Sequence, residues 1–308
     1  MACLQPLFGS INTFGKVSTA GVSYSMPCMQ TIADIRLDAS GDNATLSPSG
    51  CRINPLSVVV AAMKKPPLGL FVTGTDTEVG KTWVASMIVR CLIESGHRVG
   101  VYKPIASDCI DDGANMVAED ALALWEAAGR PLSLDAVCPQ KFGAPLAAPL
   151  AARAEGRVVN ANLLREGISV WADECDIVVV EGAGGLMSPV TEDEFVADLA
   201  ADLGYPLIVV APNVLGVINQ TLQTLITAAC FRDGLPMAGI ILNDTQILDG
   251  DVSIDSNQDE IARRTETPVL GRVRYESETL DCDINWMEIA QSFAQNGVSS
   301  DTPVPKHV

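Results

Sequence analysis

Leu70-Phe71-Val72-Thr73-Gly74-Thr75-Asp76-Thr77-Glu78-Val79-Gly80-Lys81-Thr82 decides the fold of this 308-residue chain. An apolar run ends in a glycine-bounded turn, and Lys81-Thr82 opens the helical periodicity of Trp83 to Glu94. After the Ser95-Gly96 stop, Arg98 to Tyr102 reads as a second strand, which completes a strand–helix–strand unit. The amides of such a turn and of the helix N-terminus converge on one point, which suits a phosphate chain. Lys81 would reach the terminal phosphates, and the Thr82 hydroxyl would ligate Mg2+. Five residues separate Gly74 from Gly80, where the common phosphate-loop pattern has four. On spacing alone, the segment could equally be a glycine-terminated turn with a solvated lysine.

Working outward, further buried-strand runs fall at Ile177 to Val180, Leu207 to Val210, Ala238 to Leu242 and Val269 to Val273. Helical stretches are predicted near 117–128, 160–174, 194–203, 216–232 and 257–265. Continuous Val/Ile runs without alternation belong to strands covered on both faces. The expected class is therefore α/β: a single P-loop NTPase-type domain with a mainly parallel sheet and helices on both faces. Residues 244–257 read as a polar surface loop, and those after about 296 as a frayed tail. Residues 1–62 carry Lys16, Arg36 and Arg52 against Asp34, Asp38 and Asp42, a poor transit peptide, and show no lasting period. They are expected to be a disordered extension or the product of a start codon assigned too early, with Met63 a natural beginning and 63–308 the domain.

Composition narrows the chemistry. A net charge of -18, all of it within 63–308, repels polyanions, so neither nucleic acid nor an anionic membrane is an expected partner. The two histidines, His97 and His307, are too few and too far apart in sequence for histidine-ligated zinc or Ser-His-Asp chemistry. Nine scattered cysteines, never paired as CxxC, read as reduced packing residues of a cytoplasmic protein.

Three further segments bear on the site. Glu181-Gly182-Ala183-Gly184-Gly185 follows an apolar strand directly, placing a carboxylate at the sheet edge where ligands bind, though read alone it is also just a tight turn. Lys103, one of seven lysines, emerges at the same edge, either as an ordinary exposed lysine or as a second cation for phosphoryl transfer. Asp120 stands near a helix start, where a dipole partner and a Mg2+ ligand look alike in sequence.

FVTGTDTEVGKT (71–82), YKPIAS (102–107), EDALAL (119–124), VVVEGAGG (178–185), LGVIN (215–219) and LND (242–244) occur in this order. Together they resemble the dethiobiotin synthetases, over about residues 66 to 276, and that family shares the five-residue loop spacing. The resemblance implies an ATP-dependent cyclo-ligase of biotin biosynthesis acting on 7,8-diaminononanoate and CO2. By position it assigns Glu78, Val79, Gly80, Lys81, Thr82 and Trp83 to ATP, with Thr82, Asp120 and Glu181 serving Mg2+ and Lys103 stabilising the carbamate and the migrating phosphoryl group. Ser107 would contact the substrate; Glu181, Gly182, Ala183 and Gly184 would line the nucleotide. Asn243 and Asp244 would read the adenine edge, and Val273, Arg274 and Tyr275 would complete the base pocket. A homodimer is implied, with its interface near the helix that starts about Leu215. Arg274, where proline is common, and Val214, Gln220 and Pro149 depart from the family pattern at positions bearing on the purine pocket, dimer contacts and substrate affinity.

Two relatives of the phosphate loop fit less well. A carboxylate-amidating synthetase would need a glutamine-hydrolysing domain, for which only about 35 residues remain after the last strand. A nucleotide-switch ATPase would carry a lysine early in the loop, which Gly74-Thr75-Asp76 lacks, and often a basic C-terminal helix, where Asp281 to Ala294 is acidic.

Overall fold

The computed structural model describes residues 63–113, 115–246, 252–277, 279–281 and 283–296. The expectations for residues 1–62 and for the tail after 296 lie outside these. The chain runs β1 (Gly69–Gly74), α1 (Lys81–Glu94), β2 (Val99–Tyr102), a small hairpin of β3 (Ile110–Asp111) and β4 (Met116–Val117), then α2 (Glu119–Ala127), α3 (Leu134–Val137), α4 (Ala148–Ala154) and α5 (Ala161–Glu166). It continues through β5 (Ile177–Gly185), α6 (Val196–Leu203), β6 (Leu207–Pro212), α7 (Val217–Cys230), β7 (Met237–Asn243), α8 (Asn257–Ala262), β8 (Val269–Val273) and α9 (Trp286–Asn296).

Six strands form one sheet in the order β2-β5-β1-β6-β7-β8, and every neighbouring pair is parallel. The Val/Ile runs of β1, β5, β6 and β7 are buried throughout, as strands covered on both faces must be. The crossover from β1 to β2 moves across the sheet one way, and those from β5 to β6, β6 to β7 and β7 to β8 move the other way. Right-handed crossovers therefore put α1 on one face and α6, α7 and α8 on the other. The reversal at β1 opens a crevice beyond the strands' carboxyl ends.

Local departures from expectation have local causes. The helix predicted over 160–174 is α5 followed by a 3-10 turn, Gly167–Trp171. The Tyr102 hydroxyl lies 3.0 Å from the carbonyl oxygens of Leu163 and Leu164 and competes with the α-helical ladder there. Glu181 does not follow β5 but lies within it, since the strand continues to Gly185. α3, α4 and the hairpin are too short for periodicity to reveal, and α9 packs Trp286 and Ala290 into the core from a segment that reads as merely acidic. Cys109, Cys138 and Cys175 are buried free thiols, whereas Cys230 is exposed and so is not a packing residue. Among the described residues, no helix is long and apolar enough to cross a membrane.

Candidate active site

The turn after β1 kinks twice through the left-handed region, at Glu78 (φ 56) and Gly80 (φ 88), before α1 begins at Lys81. Gly80 caps α1 with no side chain, so the first-turn amides keep their hydrogen-bonding capacity for an anion. A side chain at Gly80 is excluded twice over. Its φ is unfavourable for an L-residue, and a Cβ there would stand 2.0 Å from Nδ2 of Asn243. Gly80→Ala should therefore cost about 1–3 kcal/mol in backbone strain and weaken nucleotide binding at the same time. Thermal denaturation with and without MgADP checks both effects.

Sheet register brings the other groups to this loop. Tyr102 pairs with Val180, so Lys103 leaves β2 level with Glu181, and Val72 of β1 pairs with Glu181 from the other side. Lys103 Nζ donates to Glu181 Oε1 at 2.5 Å and to Asp120 Oδ2 at 2.8 Å. Thr82 Oγ1 lies 2.8 Å from Asp120 Oδ1 and 2.9 Å from Glu181 Oε1. Lys81 Nζ donates to the loop carbonyl of Asp76 at 2.9 Å. Lys103 is 2% exposed and Glu181 0%, which settles the choice between a buried cation and a surface lysine.

Charge balance follows from these contacts. Burial opposes the Lys103 charge, but the carboxylates of Glu181 and Asp120 outweigh it and hold the ammonium well above the ordinary lysine range. Burial also pushes Asp120 up, yet the Lys103 ammonium, its hydrogen bond and that of Thr82 keep this carboxyl below its usual value. Glu181 is pushed up by complete burial against the pull of Lys103. Lys81 is pushed down by burial and then by the neighbouring Lys103 charge.

The cluster forms the floor of a 660 Å3 cavity beyond the sheet edge. Of the residues singled out in the sequence, Glu78, Gly80, Lys81, Thr82, Lys103, Ser107, Asp120, Glu181, Ala183 and Gly184 line it. Val79 is buried beneath the loop, and Gly182 abuts Val196 and Phe71 behind it. The remaining residues gather elsewhere. The Trp83 indole donates to the Ser277 carbonyl at 3.0 Å, joining Trp83 to the segment that carries Val273, Arg274 and Tyr275, and both Trp83 and Tyr275 are exposed. Asn243 donates to the Val79 carbonyl at 3.0 Å, and the Asp244 carboxylate accepts from Arg272 and Asn213. Sequence reasoning passed over Leu146 and Ser188, which also line the cavity, and Arg272, whose only signal is a charge inside an apolar strand.

Oxygen donors fit a hard divalent cation here. Thr82 Oγ1 and one oxygen of each of two carboxylates meet within hydrogen-bonding distance, while Glu181 Oε2 is buried with no hydrogen-bond partner among the described residues. No cluster of three His, Cys, Asp or Glu able to hold a metal occurs among the described residues. Two carboxylates and a hydroxyl suit Mg2+, which takes one or two carboxylates and completes its shell with phosphate and water.

A parallel sheet with a glycine-bounded loop and a Lys-Thr helix start at its switch point defines a P-loop nucleotide-binding enzyme. The AAA domain family matches residues 68–281. The ATP-dependent dethiobiotin synthetase BioD of Rhodopirellula baltica is 42% identical over 221 residues, covering 68% of this chain and 85% of that protein. Its counterpart in Anaeromyxobacter dehalogenans is 46% identical over 210 residues, covering 68% and 91%, and that of Bacillus cereus is 39% identical over 203 residues, covering 66% and 81%. The chain belongs to the ATP-dependent dethiobiotin synthetase family.

Proposed function

We propose that this enzyme closes the ureido ring of dethiobiotin from 7,8-diaminononanoate, CO2 and ATP. The observation that carries the reading is the buried Lys103 ammonium shared between Glu181 and Asp120, on the floor of the cavity that Lys81 and Thr82 also line. One amine of the diamine takes up CO2 and loses a proton to give a carbamate. A carbamate oxygen attacks the γ-phosphorus of ATP with release of ADP. The second amine then attacks the carbamoyl carbon, expelling inorganic phosphate and a proton.

The protein's task in this sequence is to position anions and exclude water from the mixed anhydride. Lys81 and the first-turn amides of α1 hold the phosphate chain. Lys103 faces the carbamate and the transferring phosphoryl group, and Ser107 holds the acceptor. Thr82, Asp120 and Glu181 would hold Mg2+, which when bound supplies neutralisation of phosphate charge. Trp83, Asn243, Asp244 and Val273 to Tyr275 are assigned to the nucleotide. The cavity's mixed walls, polar at the floor and apolar at Leu146 and Pro189, suit an aliphatic diamine carried beside a triphosphate.

Phosphate release from MgATP and bicarbonate should depend on the diamine. Diamine-independent hydrolysis at the full rate would favour a nucleotide switch and refute the ligase. The activity should reside in the chain from Met63 onward. A protein beginning there is expected to turn over at the full-length rate, and its failure to fold would overturn that assignment. We further propose a cytoplasmic homodimer meeting about the start of α7, a reading supported by Leu215, which is 82% exposed just before that helix. Sedimentation at twice the chain mass checks it.

A further inference from the structure

We propose that Arg272, acting through Asp244 and Asn243, is a positioning residue that holds the phosphate loop in its binding conformation. The inference rests on nucleotide binding by that loop, and not on the identity of the acceptor.

The loop's kink at Gly80 leaves space that the Asn243 amide fills. Asn243 is 5% exposed, and its Nδ2 donates to the Val79 carbonyl at 3.0 Å. This is a cross-link between the end of β7 and the one turn of chain whose amides must point inward. An amide at that place is useful only if the strand end beneath it is fixed.

Arg272 supplies the fixing. Its Nε lies 2.9 Å from Asp244 Oδ1 and 3.0 Å from Oδ2, and its Nη2 lies 2.7 Å from Oδ2. Asn213 Nδ2 adds a contact of 2.9 Å to Oδ1, and Asn213 is itself held by Asn257 Nδ2 at 2.9 Å. Backbone bonds close the frame: Asn213 N donates to the Asn243 carbonyl, and Asp244 N to the Val273 carbonyl, each at 2.8 Å. The Arg272 and Asp244 side chains are only 14% and 11% exposed. Such a pair is weak evidence for stability, since desolvation offsets much of its attraction. A two-pronged guanidinium–carboxylate contact does fix orientation, which a lysine could not do. None of Arg272, Asn213 and Asn257 lines the cavity floored by Lys103, and Asn243 is the member of this frame that bonds to the loop.

MgADP titration by calorimetry tests this on the full chain, with folding of each variant verified by circular dichroism. Arg272→Ala is expected to weaken MgADP by about tenfold, roughly one hydrogen bond's worth, with turnover at saturating ATP within about twofold, and Asn243→Ala, which also removes a group assigned to the nucleotide, should weaken MgADP by at least as much. The double variant should bind within about twofold of Asn243→Ala alone, because both changes break one chain of contacts. If Arg272→Ala does not fold, Arg272→Lys carries the same test, since it keeps the charge and loses the two-pronged contact. Unchanged affinity in a folded variant, a multiplied loss in the double variant, or a fall in turnover at unchanged affinity would each overturn the proposal. A wild-type chain that binds no MgADP would refute the functional reading itself, which separates the two failures.

Discussion

Replacing Lys103 with methionine should lower diamine-dependent phosphate release by about a thousandfold or more, the scale on which one preorganised charge acts on a transferring group. The expectation follows from what surrounds the ammonium. It is the buried cation between two carboxylates, on the floor of the 660 Å3 cavity that Lys81 and Thr82 also line. Methionine keeps the apolar stem and removes only the charge, so lost turnover would report on that charge. Stability should fall as well, by about 3–5 kcal/mol if Glu181 is left ionised and unpaired. Pairing Lys103→Met with Glu181→Gln should recover much of that stability and none of the turnover. Steady-state phosphate release and urea denaturation give the two readouts. Full turnover in the folded single variant would falsify the role assigned to Lys103.

Lys81→Met should behave in the opposite way with respect to folding. Lys81 is 7% exposed, its one side-chain hydrogen bond among the described residues is to the Asp76 carbonyl, and both burial and the Lys103 charge work against its ionisation. Without nucleotide, the variant should therefore be at least as stable as the wild type. The loss should appear on binding. In MgADP at about 100 times its dissociation constant, the wild type gains about 2.7 kcal/mol, and Lys81→Met should gain almost none. Its turnover should drop by about a hundredfold to a thousandfold. Thermal shift measured with and without MgADP decides the first point, and an equal nucleotide shift in both proteins would remove Lys81 from the phosphate site.

The contrast between these two lysines shows where sequence reading stops. The loop, its strand and its helix were legible because glycines, Lys81 and Thr82 stand in one continuous segment whose chemistry is local. The sheet was legible because a parallel strand buried on both faces has an unbroken apolar run, as in Ile177 to Val180. The setting of Lys103 was not. Its burial depends on the pairing of Tyr102 with Val180 and on the packing of α2 against α1, and nothing within a few residues encodes either. Asp120 likewise stays ambiguous until α2 is placed, for it bonds to Thr82 and Lys103 across 38 and 17 residues. The Arg272–Asp244 contact spans 28 residues and joins β8 to the residue that follows β7, so it was invisible until the register of these strands was known.

Glu181 lies inside β5, and Lys103 and Lys81 each sit directly at the end or start of a regular element. Pro145, Leu146, Ala147, Ser188 and Pro189, which line the same cavity, belong to connecting segments. On the proposed reading, the groups assigned to phosphate and metal sit on or beside regular elements, and connecting segments complete the cavity around them. If that reading holds, exchange of the connecting segments would retune which acceptor fits while the groups assigned to ATP stay in place.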